Sequence, residues 1–255
     1  MTHPLFSLAG RRALITGSSQ GIGLALAAGL AEAGATVILN GRDPERLARA
    51  VEVLRNRGHA AMMMAFDVTD SAAATEAVDR IEAEEGPLDI LVNNAGMQYR
   101  APLEDFPEEA FDALIALNLK AVFTVSKAVA RNMLPRGRGR IVTIASVQSA
   151  LARPGIAPYT AAKGAVANLT KGMAADWGPR GLQCNALAPG YFDTPLNAAL
   201  VADPDFSAWI ARRTPAGRWG RLEELRGACI FLASDAASYV NGQTLYVDGG
   251  MTATL

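Results

Sequence analysis

Short apolar runs, many of them β-branched, recur along the chain at 13–16, 36–40, 62–66, 90–93, 141–144, 182–187 and 244–247. Runs of this length without alternation predict strands buried on both faces. The intervals at 23–33, 43–57, 71–85, 111–134, 159–177 and 223–233 are longer, rich in Ala and Leu, and helically spaced. Strand and helix in alternation predict an α/β fold, a doubly wound parallel sheet of about seven strands with helices on both faces. In such sheets ligands lie at the carboxyl ends of the strands, so chemistry is expected in the loops that leave them. No repeat, flexible linker or low-complexity block interrupts the pattern, and 1–255 reads as one domain. The looser stretch 195–218, with Pro204, Phe206, Trp209 and Pro215, reads as a long loop, either a lid or a packed surface excursion.

Composition narrows the class. Half of the 255 residues are apolar and 19% are charged, which excludes a disordered or fibrous chain. With 24 Lys plus Arg against 25 Asp plus Glu, the net charge of −1 gives no field to gather nucleic acid or an anionic membrane. The basic cluster Arg136-Gly137-Arg138-Gly139-Arg140 has no interleaved aromatics and is read as a solvated loop rather than an RNA contact. Cys184 and Cys229 lack metal-ligand spacing and read as reduced thiols, His3 and His59 are lone histidines, and no metal is expected. The first ten residues lack a signal-peptide layout and no 18-residue apolar stretch occurs, so an untargeted cytoplasmic protein is expected.

Thr16-Gly17-Ser18-Ser19-Gln20-Gly21-Ile22-Gly23 follows the first strand and opens a helix, the Rossmann-type setting of a dinucleotide-binding turn. Gly17 and Gly21 would let backbone approach a pyrophosphate, Gly23 would let helix and sheet pack closely, and the helix start offers free N–H groups. At the end of the second strand, where a carboxylate would hold the ribose of NAD, the chain has Asn40-Gly41-Arg42. A guanidinium there suits the 2′-phosphate of NADP, which is favoured over NAD; a plain surface arginine is the other reading. Asp67 reads either as an adenine contact or as a helix cap.

Tyr159 and Lys163, four residues apart on a predicted helix, project from one face. An ammonium beside a phenol would lower its pKa and make it a usable proton donor and acceptor. Ser146 ends the fifth strand, and Asn118 lies in the preceding helical segment as a buried amide in need of partners. With Asn93-Asn94-Ala95-Gly96 and Pro189-Gly190, this order resembles the short-chain dehydrogenase/reductase family from about residue 8 to 251. The resemblance implies Asn118, Ser146, Tyr159 and Lys163 as a catalytic tetrad. In it the tyrosine exchanges a proton with the substrate, the lysine lowers its pKa and holds the nicotinamide ribose, the serine binds the substrate oxygen and the asparagine positions a water. It also implies a cofactor wall of Ser19, Gln20, Ile22, Asp67, Val68, Asn93, Ala95, Gly96, Pro189, Gly190, Phe192 and Thr194, and a homotetramer.

For the substrate, Gln98, Tyr99, Arg100, Gln148, Ser149, Tyr191 and Phe192 read as a polar lining with one cation. Arg100 could fork onto the carboxylate of a hydroxy acid, or be a solvent-facing loop residue. The strings Met97-Gln98-Tyr99-Arg100, Ala188-Pro189-Gly190-Tyr191-Phe192 and Arg213-Thr214-Pro215-Ala216-Gly217-Arg218-Trp219-Gly220 resemble the gluconate 5-dehydrogenase branch, which implies NADP-linked interconversion of D-gluconate and 5-keto-D-gluconate. Other sugars or polyols, 3-oxoacyl thioesters and a non-catalytic NADP-binding regulator are the alternatives.

Overall fold

The computed structural model describes residues 3–254. The strands are β1 (Arg12–Ile15), β2 (Thr36–Gly41), β3 (Ala61–Ala65), β4 (Ile90–Asn93), β5 (Gly139–Ile144), β6 (Leu182–Pro189) and β7 (Thr244–Val247). They form one seven-stranded sheet in the order β3-β2-β1-β4-β5-β6-β7, and every pairing is parallel. Leu14 at its centre pairs with Ile38 on one side and Leu91 on the other. The order reverses between β1 and β4, so the loops after these strands diverge and open a crevice there.

Helices α1 (Gly21–Glu32) and α2 (Pro44–Arg55) cover one face of the sheet, and α3 (Ser71–Glu84) packs on the other. Asp43 and Asp70 start α2 and α3 by accepting first-turn N–H groups. Asp70 therefore fills the capping role that was one reading of Asp67. Two cores result. Leu26, Leu30, Leu47 and Leu54 pack with Ile15 and Leu39 on one face, whereas Val78, Ile81, Val125 and Met133 pack with Leu14 and Leu91 on the other.

The expectation of strands buried on both faces holds for the centre and fails at the edges. In edge strand β3 the burial alternates and Met63 is exposed, because only one of its faces lies against helices. The expected single helix at 111–134 is a longer helical run in three parts: α4 (Glu108–Ile115), a π-helical turn at Ala116–Lys120, and α5 (Ala121–Arg136). By length and composition this run could cross a bilayer, but Val122, Val125, Val129 and Met133 are buried against the sheet and its helices. After α6 (Ala157–Trp177), the stretch read as a loop contains α7 (Ala198–Val201) and α8 (Pro204–Arg213), joined by a capped turn in which Asp203 accepts from Asp205 and Phe206. Prolines at helix starts and a short Asp cap hid this helical hairpin from a reading based on apolar period. The last helix, α9 (Arg226–Ala233), returns to the face of α1.

The basic cluster is paired with carboxylates of this chain, Arg136 and Arg140 largely buried and Arg138 exposed. Arg136 forks onto Glu82 at 2.6 and 3.0 Å and also donates to the Leu88 carbonyl; Arg138 faces Asp89 and Arg140 faces Asp235. These carboxylates tie the start of β5 to α3 and to the segment after α9. Cys184 and Cys229 are both buried, and burial pushes each thiol up to about 12.

Candidate functional site

A cavity of about 1270 Å³ opens at the carboxyl edge of the sheet. It exceeds the usual small-ligand pocket, with room for a nucleotide and a second molecule. Its floor is built by the loops after β1 and β4. Thr16 Oγ1 accepts from the N–H groups of Asn94 and Ala95 at 2.9 and 3.0 Å, and Asn94 Nδ2 donates to the carbonyls of Thr16 and Gly17. This lattice fixes both loops at the point where the strand order reverses.

The three glycines of the first loop have different work. Gly17 has a φ of +60°, and a Cβ there would come within 2.8 Å of the Ala95 backbone. A Cβ on Gly23 would meet the Gly17 carbonyl at 2.6 Å. Both are demanded by packing between loops. At Gly21, also with positive φ, the nearest atom to an added Cβ is Pro195 Cδ at 3.7 Å, so this glycine alone of the three leaves open space on the cavity side. Gly17, expected to admit a pyrophosphate, lines the cavity and also admits Ala95.

Ser19, Gln20, Gly21 and Ile22 line the cavity, and Gln20 at the start of α1 makes no side-chain cap. The first-turn N–H groups of α1 are therefore free for an anion, with the positive end of the helix dipole behind them. Where β2 ends, Asn40 is buried and committed: its Oδ1 accepts from Gly17, and its Nδ2 donates to the carbonyls of Met64 and Phe66. Arg42 lines the same end, 80% exposed at its side chain and only loosely paired with Asp67 at 3.8 Å. Arg46, one turn into α2, also lines it and approaches Gln20 at 3.5 Å. Sequence reading missed Arg46; its position four residues after Arg42 was the available signal. Asp67 is held by Thr69, and although burial raises its pKa, the Thr69 hydrogen bonds and Arg42 bring the net below the ordinary value. Val68, Ala95 and Gly96 complete this wall. Asn93 does not: it points into the protein and donates to Ser126 Oγ at 2.8 Å, which turns it from a cofactor contact into a tie between β4 and α5.

At the other end Ser146, Tyr159, Lys163 and Asn118 share the cavity. Ser146 Oγ accepts from the Gln148 N–H at 3.2 Å, which turns the hydroxyl inward. Lys163, 5% exposed, donates from Nζ to the Ile144 carbonyl at 2.7 Å and lies 5.6 Å from the Tyr159 ring centroid. The expected lowering of the phenol by this ammonium is not what the protein alone produces. Burial pushes Tyr159 up to about 12, against a smaller downward pull from the Ser146 hydroxyl. Burial also brings Lys163 down to about 8. Desolvation penalises both charged forms and sets the direction of both shifts.

Asn118 sits within the π-helical turn, 1% exposed. Its Nδ2 donates to the Met97 carbonyl at 2.9 Å and its Oδ1 accepts from the Met97 N–H at 3.2 Å. The extra residue of a π turn aims this amide at the β4 loop, a common use of such turns near functional sites. It also explains Gly96, where an added Cβ would meet Asn118 Oδ1 at 2.7 Å.

Pro189, Gly190, Phe192 and Thr194 line the roof, with Thr194 Oγ1 accepting from Asn197. Phe192 is mainly structural, packed over Gly220 where any Cβ would clash with its ring. Pro195, Leu196, Asn197 and Leu200 also face the cavity, so the helical hairpin forms one of its walls. Gln148 lines the substrate end and approaches the Tyr191 hydroxyl at 3.5 Å. Arg100 is not part of the lining. It is exposed at the rim beside Gln98, and burial together with the Arg153 charge lowers its pKa. The arginine that does line the cavity is Arg153, in the loop before α6, which sequence reading passed over. Among the described residues no cluster of metal-ligating side chains occurs.

A family profile described as Enoyl-(Acyl carrier protein) reductase matches residues 17–252. A gluconate 5-dehydrogenase of Gluconobacter oxydans is 60% identical over 256 residues, covering all of both chains. The chain belongs to the short-chain dehydrogenase/reductase family. Within that family, a 5-keto-D-gluconate 5-reductase of Escherichia coli K12 is 50% identical over 249 residues, 98% of each chain. A solved structure of a gluconate 5-dehydrogenase from Burkholderia cenocepacia J2315, in complex with NADP and tartrate, is 57% identical with a TM-score of 0.97 and covers 99% of both chains.

Proposed function

We propose that this family member interconverts D-gluconate and 5-keto-D-gluconate with NADP as the redox partner. The observation that carries the reading is one cavity holding a free helix start and two guanidiniums at one end and buried Ser146 and Lys163 with half-buried Tyr159 at the other. The similarity to curated gluconate 5-dehydrogenase and 5-keto-D-gluconate 5-reductase over the full chain supports the substrate.

The chain fits NADP on its own chemistry. Gly21 leaves space and the first-turn amides of α1 leave donors for the pyrophosphate, while Arg42 and Arg46, only loosely held by Asp67 and Asp43, suit a 2′-phosphate. Bound there, NADP(H) would supply the hydride acceptor for oxidation of the acid at C5 and the hydride donor for the reverse reduction. Ser146 holds the reacting oxygen. Tyr159 takes the hydroxyl proton in oxidation and gives it back in reduction. Lys163 carries the positive charge that such a phenolate requires, and Asn118 fixes the β4 loop beneath them. The helical hairpin at 195–213 serves as a lid whose closure excludes water.

Two wider expectations belong to the same reading. The protein works in the cytoplasm, and it assembles as a homotetramer. Gly164 and Gly172 on α6 have no neighbour within 4 Å of an added Cβ, and Phe111 and Phe123 on α4 and α5 are exposed, which leaves helix faces for other copies. Light scattering should give four times the chain mass; a monomer would remove the assembly claim.

Nicotinamide absorbance followed with gluconate, 5-ketogluconate, a neutral ketohexose and a 3-oxoacyl thioester tests the function. Turnover of the two acids with NADP(H) in clear excess over NAD(H) is expected. Turnover of only the thioester would replace the substrate, and none at all would remove the enzymatic reading.

A further inference from the structure

Arg153 has the features of a charge held ready for a ligand. Its Nε is shielded from solvent yet has no hydrogen-bond partner. Nη1 makes only a long 3.4 Å contact with the adjacent Pro154 carbonyl, and among the described residues no carboxylate lies within ion-pairing distance of the guanidinium. Its plane is occupied instead, with the guanidinium carbon 5.6 Å from the ring centroid of Phe206 on α8. That stack fixes the head group and leaves Nε without an acceptor, with the Tyr191 hydroxyl beside the fork. A donor buried without an acceptor costs about 1–3 kcal/mol, so such groups call for an explanation. A carboxylate is the group that fits, because its two oxygens match two parallel N–H donors of the fork.

The surroundings point the same way. Burial, and after it the Arg153 charge, lowers the pKa of Arg100, and burial raises that of Tyr191 against a smaller pull from Arg153. The mouth of the cavity is thus cationic without local compensation. Arg100 is exposed and outside the lining, so its charge is screened by water, whereas Arg153 acts across the cavity itself.

We propose that Arg153, braced by Phe206 of the helical hairpin, recognises the substrate carboxylate and sets the preference for a sugar acid over a neutral polyol. The proposal deepens the gluconate reading and rests on it for the identity of the acid. Because Phe206 moves with α8, capture of the acid by Arg153 also fastens the hairpin to the loop before α6.

Arg153→Met, Arg153→Lys and Arg100→Met separate the roles. Tartrate titrated into the NADP complex is read by the fluorescence of Trp209 and Trp219, which lie in the same aromatic cluster as Tyr191 and Phe206. Arg153→Met should weaken tartrate about 30-fold and raise KM for 5-ketogluconate by a similar factor, with a smaller change in kcat. Arg153→Lys should recover only part, since an ammonium cannot fork, and Arg100→Met should shift either value less than about threefold. NADPH affinity measured on each variant reports that the fold is intact. Wild-type affinity for tartrate in Arg153→Met, failure of the wild type to bind tartrate, or transfer of the whole effect to Arg100→Met would overturn the assignment. A wild type that binds tartrate through Arg153 yet turns over neither gluconate nor 5-ketogluconate would sink the gluconate reading and leave the carboxylate site standing.

Discussion

The two ends of the cavity use the same residue type under opposite conditions. At the nucleotide end Arg42 and Arg46 reach into solvent, loosely matched with Asp67 and Asp43 at 3.8 and 3.7 Å. At the chemical end Arg153 is stacked on Phe206 with an unused donor, beside a phenol and an amine whose ionisation burial has already displaced. Charge exposed to water is cheap to hold and adds modestly to binding. Charge held out of water is costly and interacts strongly with whatever enters. The contrast assigns discrimination between nucleotides to a graded, salt-sensitive contact, and proton transfer to a small group whose loss is severe.

The largest effect should come from the buried end. Tyr159→Phe removes the proton carrier and should lower turnover in both directions by ~10²-fold or more, while nucleotide affinity measured by fluorescence titration stays close to wild type. Replacing Arg42 and Arg46 together by Ala should weaken NADP by about tenfold and leave NAD within twofold, and the loss should shrink as salt rises. Equal losses for the two nucleotides would erase the distinction between the ends. Arg42→Ala alone, at a more exposed position, should give the smaller part of that loss in the same titration.

Lys163 sharpens the comparison through stability. Its folded pKa near 8 lies below the ordinary 10.5, so between those values the unfolded chain binds more protons and stability rises with pH. Below pH 8 the folded protein carries the full cost of a buried charge, on the order of a few kcal/mol. Chemical denaturation without added nucleotide should therefore find Lys163→Met more stable than wild type at pH 7, with the difference closing toward pH 10.5. A difference independent of pH would mean that burial does not displace this amine.

The legibility of the sequence divides along the same line. Central strands such as β1 and β4 announce themselves because both faces are buried in a short apolar run, and the glycine turn is local in sequence as well as in space. Tyr159 and Lys163 were readable because a helix sets their relation within four residues. The π turn around Asn118 was not, since one extra residue per turn leaves composition and apolar period almost unchanged. Neither was the separate work of the glycines: Gly17 and Gly23 answer to Ala95, Asn94 and backbone brought in from elsewhere in the chain. Arg100 and Arg153 are both loop arginines near a motif, and only packing against Phe206, more than fifty residues away, tells the lining one from the rim one.

The most direct measurement is the single-turnover rate of nicotinamide reduction by gluconate in the NADP complex, followed by stopped-flow across pH 6 to 10. With Tyr159 as the base, the wild-type rate should climb with pH across this range as more of the phenol ionises, while Tyr159→Phe is slow and nearly flat. A wild-type rate indifferent to pH, or a Tyr159→Phe variant that keeps the rising profile, would contradict the account.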